Sequence, residues 1–438
     1  MLLLWVHLSA AASLDWRVTK GVGSRGYGAI RVSVVTNETG PPQLPWPFPY
    51  SSSFQYRWVD LQLHSTLLEN VAPSEGVTIH AGDETLHVKL PRATDGIRAI
   101  IFGDPCTSNA FKFPHKHPTA CWPGVQSKTA THLPALLNLA ASSIDAWGIL
   151  GDNFYDRNGS ITAPFFSLLS AELKSKFFFT VVGNHDYWVY GVQSSQTALD
   201  SFGNGFMQYF ALDTLASLHP APPSGVASGE PASIQDLAHN FFDFRGNPDH
   251  IQADGNHTLP VASNFFYYYQ LGNVGLIGFS GAATLAETTP QLMEACASFA
   301  ATPMSTRPRA IYLLGHWTRS GASSCSAGMG TPDVYKIVVT LPGCENGNVR
   351  FMMGHEHCNR IWDESVVPFL EDPDAYQYLR RGGSVEEEEE EEGGEGEDAP
   401  RGFLIGGSGA GWSPEVTSCN KNRIHTLTYL LTYSLTYY

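Results

Sequence analysis

No apolar stretch in this sequence reaches the ~20 residues that a membrane-spanning helix needs. Charge is also scarce: only 16% of residues are Asp, Glu, Lys or Arg. Apolar residues make up 43%, so a packed core is affordable and wholesale disorder is not indicated. There is no basic patch of the kind that tracks a phosphate backbone, which argues against nucleic-acid binding. The seven cysteines include no CxxC pair, so a thiolate zinc site of the usual spacing is absent. An odd count leaves at least one of them unpaired within the chain. Cys106 with Cys121 and Cys325 with Cys344 close short loops and are the expected disulfides, although spacing alone does not fix connectivity.

The charge that is present is concentrated. Ten acids lie between Glu386 and Asp398, and removing them takes the formal total from −16 to −6. That run reads as a solvated low-complexity insertion over residues 384–400. Residues 1–13, MLLLWVHLSAAAS, resemble a secretory signal in their apolar run and small-residue end, without the usual basic start. Glycosylation sequons at Asn37, Asn158 and Asn256 fit a secreted or endomembrane-lumen protein.

With 438 residues the chain has room for one large α/β domain and an appendage. Residues 14–95 read as a β-rich N-terminal region, with a strand over Ala29–Val35, a hairpin of Val77–His80 with Thr85–Leu90, and the option of a separate sandwich. From residue 96 the rhythm changes. Short buried-strand runs at Ile97–Phe102, Ala146–Leu150, Phe177–Val182, Val274–Phe279, Ala310–Leu314 and Val349–Met353 alternate with helical spacing at Thr129–Ser142, Phe165–Leu173 and Thr289–Ala301. Phe265–Leu271 and Phe403–Ile405 add further strands. Strand–helix–strand alternation predicts parallel βαβ units over residues 96–415. Residues 416–438, with their repeated Leu-Thr-Tyr, read as a tail outside the core.

Five polar clusters follow five of these strands: GDPC (Gly103–Cys106), GDNFY (Gly151–Tyr155), GNHD (Gly183–Asp186), GHW (Gly315–Trp317) and GHEH (Gly354–His357). Open α/β sheets bind ligands beyond the carboxyl ends of their strands. A single Gly-Asp at a strand end is usually an ordinary turn. Five in order, each placing polar groups after a buried strand, are hard to explain as turns. Their carboxylate, amide, phenol and imidazole groups are an oxygen and nitrogen donor set suited to iron, zinc or manganese.

In this order the motifs resemble those of the calcineurin-like metallophosphoesterases, and Tyr155 in GDNFY is similar to the purple, tartrate-resistant acid phosphatase type. The resemblance implies a four-layer αββα sandwich of two mixed sheets, and hydrolysis of phosphate monoesters by a metal-bound hydroxide. It implies that Asp104, Asp152, Tyr155 and His357 hold Fe(III), and that Asp152, Asn184, His316 and His355 hold Fe(II), Zn(II) or Mn(II). His185 would face the phosphate or donate a proton to the leaving group; the alternative is that it only orients Asn184. The substrate would be a small phosphoester or a phosphoprotein. A phosphodiesterase or nucleotidase on the same centre, and a non-catalytic secreted binding protein on this scaffold, stay open as alternatives.

Two departures stand out. Pro105-Cys106 follow Asp104 where the family has Gly or His at the third position. Arg319–Cys325 stand where the acid phosphatases carry a Glu-His pair that protonates the leaving group.

Overall fold

The computed structural model describes residues 15–20, 27–36, 62–81, 84–105, 125–154, 162–183, 186, 266–281, 285–317, 329–345, 347–355, 359–362, 402–405 and 432–435. The three sequons, the acidic run, residues 1–13 and both Cys106 and Cys121 lie outside them.

The predominantly apolar runs of the sequence become central strands. These are β6 (Ile97–Phe102), β7 (Ala146–Leu150), β8 (Phe177–Val181), β10 (Val274–Phe279), β11 (Ala310–Leu314) and β12 (Val349–Met353). Strands apolar on both faces must be covered on both, and they are. A seven-stranded sheet runs β15-β6-β7-β8-β1-β2-β3, with β1 at Asp15–Lys20, β2 at Ile30–Thr36, β3 at Gln62–Leu68 and β15 at Thr432–Leu435. A six-stranded sheet runs β13-β14-β12-β11-β10-β9, with β9 at Phe266–Leu271, β13 at Asn359–Trp362 and β14 at Gly402–Ile405. Both sheets are parallel at the centre and antiparallel at the edges. A separate hairpin pairs β4 (Val77–Ala81) with β5 (Glu84–Val88).

Alternation along β9 explains the layering. Tyr267, Tyr269 and Leu271 join the core cluster that holds Trp16, Val18 and Ile97 of the other sheet. Phe266 and Tyr268 point the other way, into a cluster with Leu292, Cys296 and Phe299 of α4 (Leu285–Ala301) and Val334, Tyr335 and Val338 of α5 (Thr331–Val338). On the far side of the first sheet, Leu133 and Leu137 of α1 (Val125–Ala140), Phe165 and Phe166 of α2 (Thr162–Ser167) and Leu173 of α3 (Ala171–Lys174) pack against the strands. The result is helices, sheet, sheet, helices: the four-layer αββα sandwich of two mixed sheets.

Four expectations change. Strands β1 to β3 do not form a sandwich of their own. Val18 of β1 pairs in parallel with Phe177 of β8, so the N-terminal strands extend the large sheet. Pairing covers the edge that β8 would otherwise present. Residues 432–435 of the expected tail likewise pair antiparallel with β6, closing its opposite edge. The helix expected over Phe165–Leu173 is two helices: the first ends at Ser167, and Ser170 caps the second by accepting a hydrogen bond from Leu173 N at 3.2 Å. Finally, Cys344 pairs with Cys296 of α4 and not with Cys325. Both sulfurs lie in the apolar cluster between α4 and α5, 48 residues apart in sequence. Their proximity comes from helix packing, which sequence spacing does not encode.

Candidate metal centre

Strand register sets the site. Phe102 of β6 pairs with Ile149 of β7, and Leu150 with Val181 of β8. In the other sheet Leu314 of β11 pairs with Met352 of β12. Four of the expected ligands are then each the second residue beyond their strand: Asp104, Asp152, His316 and His355. All four leave at the same end of the two sheets.

The two sheets are stitched together at that end. His316 Nδ1 lies 2.7 Å from the carbonyl oxygen of Leu150. The backbone N–H of His355 donates to Asp104 Oδ2 at 2.9 Å. Within the first sheet, Asp104 N donates to Gly151 O at 3.2 Å. Asp104, Asp152 and His316 are buried, and one ligand atom from each lies within 4.8 Å of the others. His316 Nε2 stands 3.3 Å from Asp152 Oδ1 and 3.3 Å from His355 Nδ1.

The backbone is strained here. Of the six non-glycine residues with positive φ among the described residues, four lie at this cluster: Asp104 (51°), Asp152 (51°), Phe154 (66°) and His355 (82°). Side chains rarely adopt that region, and each instance costs on the order of 1–3 kcal/mol. Two glycines of the motifs are required by close approach. Gly151 has φ 83°, and a Cβ on it would run into the His316 ring. A Cβ on Gly183 would collide with Asp152 N and Oδ1.

The electrostatics are those of a cation site. A Leu150 carbonyl accepts only from an N–H, so Nδ1 of His316 carries the proton and Nε2 presents its lone pair to Asp152. A lone pair facing a carboxylate oxygen needs a positive charge between or beside them. Without a cation a second proton serves. Burial alone would push the His316 imidazole down, but the Asp152 carboxylate, its hydrogen bond and the Asp104 charge raise it to about 9. Two donors bound about 2.1 Å from one ion are roughly 3.0–3.4 Å apart, so the 3.3 Å spacings fit a shared metal. The oxygen and imidazole donors suit Fe, Zn or Mn, and the buried carboxylates need a partner of opposite charge.

Tyr155, Asn184, His185 and His357, also expected at the centre, lie outside the described residues. Two residues of the motifs were not singled out from sequence. Asn153 and Asp186 are both buried and hydrogen-bonded to each other. The signal for Asp186 was its place in GNHD, directly after two candidate site residues. Burial, then the charge of Asp152, pushes its carboxyl up, while the Gly183 N–H and the Asn153 amide pull it back.

No family model matches the sequence, and no curated protein matches it. Solved structures do. Purple acid phosphatase PPD1 from yellow lupin (Lupinus luteus) seeds is similar over 90% of this chain, at 15% identity and a TM-score of 0.47. The chain spans 64% of the length of that lupin protein. PhoD is similar over 90% of this chain and 77% of its own, at 8% identity and a TM-score of 0.42. Both likenesses are at low identity.

Proposed function

We propose that this chain is a metal-dependent phosphoric ester hydrolase, of acid-phosphatase-like activity, acting on phosphate monoesters. The observation that carries this reading is the convergence of Asp104, Asp152 and His316, from three strands and both sheets, on one buried point. Asp104, Asp152, Tyr155 and His357 would hold Fe(III). Asp152, Asn184, His316 and His355 would hold Fe(II), Zn(II) or Mn(II), with Asp152 common to both. The undescribed members are close in sequence to described ones: Tyr155 is three residues beyond Asp152, Asn184 follows Gly183, and His357 is two beyond His355.

Two such ions, when bound, neutralise a phosphoryl group and make water a nucleophile near neutral pH. The chain's own residues do the rest. His316, held by the Leu150 carbonyl, keeps Nε2 directed at the site. Asp104 is oriented by the His355 N–H. His185 would meet the phosphate or give the departing oxygen its proton. No Glu-His pair follows Trp317, so that proton supply rests on fewer groups than in the acid phosphatases the motifs resemble.

An oxidising compartment, secreted or endomembrane, fits the buried Cys296–Cys344 disulfide. Among the described residues no helix is long and apolar enough to cross a membrane.

Metal analysis of the purified protein, with hydrolysis of p-nitrophenyl phosphate against bis-p-nitrophenyl phosphate, tests the proposal. About two ions per chain and preference for the monoester are expected. In Asp152→Ala, turnover should drop on the order of 10²-fold or more. Preference for the diester would move the activity to a phosphodiesterase. Metal content well below two, with an inert Asp152→Ala change, would leave a binding protein on this scaffold.

A further inference from the structure

The motif residues after β7 and β8 are joined by a closed set of hydrogen bonds. Asp186 Oδ1 accepts from the backbone N–H of Asn153 at 2.7 Å. Its Oδ2 accepts from the backbone N–H of Gly183 at 2.6 Å and from Asn153 Nδ2 at 2.9 Å. The second Nδ2 hydrogen goes to Val181 O at 3.1 Å, and Thr180 Oγ1 donates to Asn153 Oδ1 at 2.7 Å. Both N–H hydrogens and the oxygen of the Asn153 amide are therefore engaged, and its orientation is fixed. Three N–H groups converge on one carboxylate, all of it buried.

What these bonds hold is the spacing of two neighbours. The Asn153 N–H belongs to the peptide that begins at Asp152. The Gly183 N–H lies one residue before Asn184. The Asp186 carboxylate thus locks the exit of β7 to the exit of β8, at the level where Gly183 already touches Asp152 with no room for a side chain. Charge-assisted bonds from a carboxylate to backbone N–H groups are shorter and about twice as strong as neutral ones. An amide in its place would aim at least one N–H at another.

We infer that Asp186 is a positioning residue of the metal centre, whose carboxylate fixes the spacing between the peptide that follows Asp152 and the peptide at Gly183 and so supports the site proposed for the second, divalent ion. The inference rests on the metal-centre reading above. It does not make Asp186 a ligand: its oxygens are occupied by N–H donors. In the proposed ligand set Asp152 serves both ions and Asn184, next in sequence to Gly183, only one, so disturbing the lock should act unequally on the two.

The test is calorimetric titration of metal-depleted full-length chain with Zn(II), for wild type, Asp186→Asn and Asn153→Ser. Asn153→Ser keeps both backbone N–H bonds to Asp186 and removes only the side-chain one. In Asp186→Asn the second binding event should weaken 10–100-fold while the first stays within about threefold, and in Asn153→Ser the same event should weaken by a smaller factor. Asp186→Glu, which restores the negative charge, should recover part of the loss. Wild-type affinity for both ions in a folded Asp186→Asn would overturn the inference, as would equal weakening of both. Should Asp186→Asn not fold, Asn153→Ser decides alone: an unchanged second event overturns the role. Failure of the underlying reading looks different, since wild type itself would then show no second binding event.

Discussion

His316 Nδ1 lies 2.7 Å from the carbonyl oxygen of Leu150, so a side chain at the end of one sheet bonds the backbone at the end of the other. This bond does two things at once. It fixes which imidazole nitrogen faces Asp152, and it satisfies a carbonyl in a position sealed from water. His316→Phe keeps much of the volume but leaves that carbonyl without its donor. In metal-free protein, urea unfolding should register a loss of about 1–3 kcal/mol. A metal-free stability equal to wild type would mean the bond is incidental.

Gly183→Ala tests the close approach of two loops. The added methyl meets backbone nitrogen and the carboxylate of Asp152, neither of which is the yielding tip of a flexible side chain. Overpacking of this kind costs on the order of 1–3 kcal/mol. The expected result is a folded protein with a lowered midpoint and less than two ions bound. Full metal content in Gly183→Ala would contradict the contact.

The Cys296–Cys344 bond closes a loop of 48 residues, for which chain entropy predicts about 4 kcal/mol of stabilisation. Cys344→Ser should lower the denaturant midpoint accordingly. Cys325→Ser should leave the Cys296–Cys344 peptide pair intact in a non-reducing digest. Recovery of a Cys325–Cys344 peptide instead would restore the pairing expected from loop length.

If Tyr155 holds ferric iron, the purified protein should be coloured by phenolate-to-metal absorption. Tyr155→Phe should bleach it without unfolding the chain. A colourless, fully active wild type carrying two divalent ions would remove iron from the assignment and leave the rest of the centre untouched.

The central strands were legible because burial on both faces leaves little choice of residue. IRAIIF, AWGIL, AIYLL and VRFMM begin and end as strands where the apolar run does. The Gly-polar pair that ends four of those runs marked Asp104, Asp152, His316 and His355 for the same reason: a polar side chain directly after a buried strand has to be answered by something. The α5 helix was not read, since Pro332 sits at its start, where a proline signals a helix beginning only once the helix is known. Asp186 was passed over because its role is to accept hydrogen bonds from backbone N–H groups, and every residue but proline has one.

The sequence by itself determined which segments are strands and which side chains stand at their ends, because both follow from local burial and local turns. It did not determine that β1 would lie beside β8, that Cys344 would find Cys296, or that an aspartate beyond one strand would brace the peptide beyond the next. Those are pairings between distant parts of the chain. Any edge, thiol or N–H could in principle answer them, and only the packing of two sheets and their helices selects which one does.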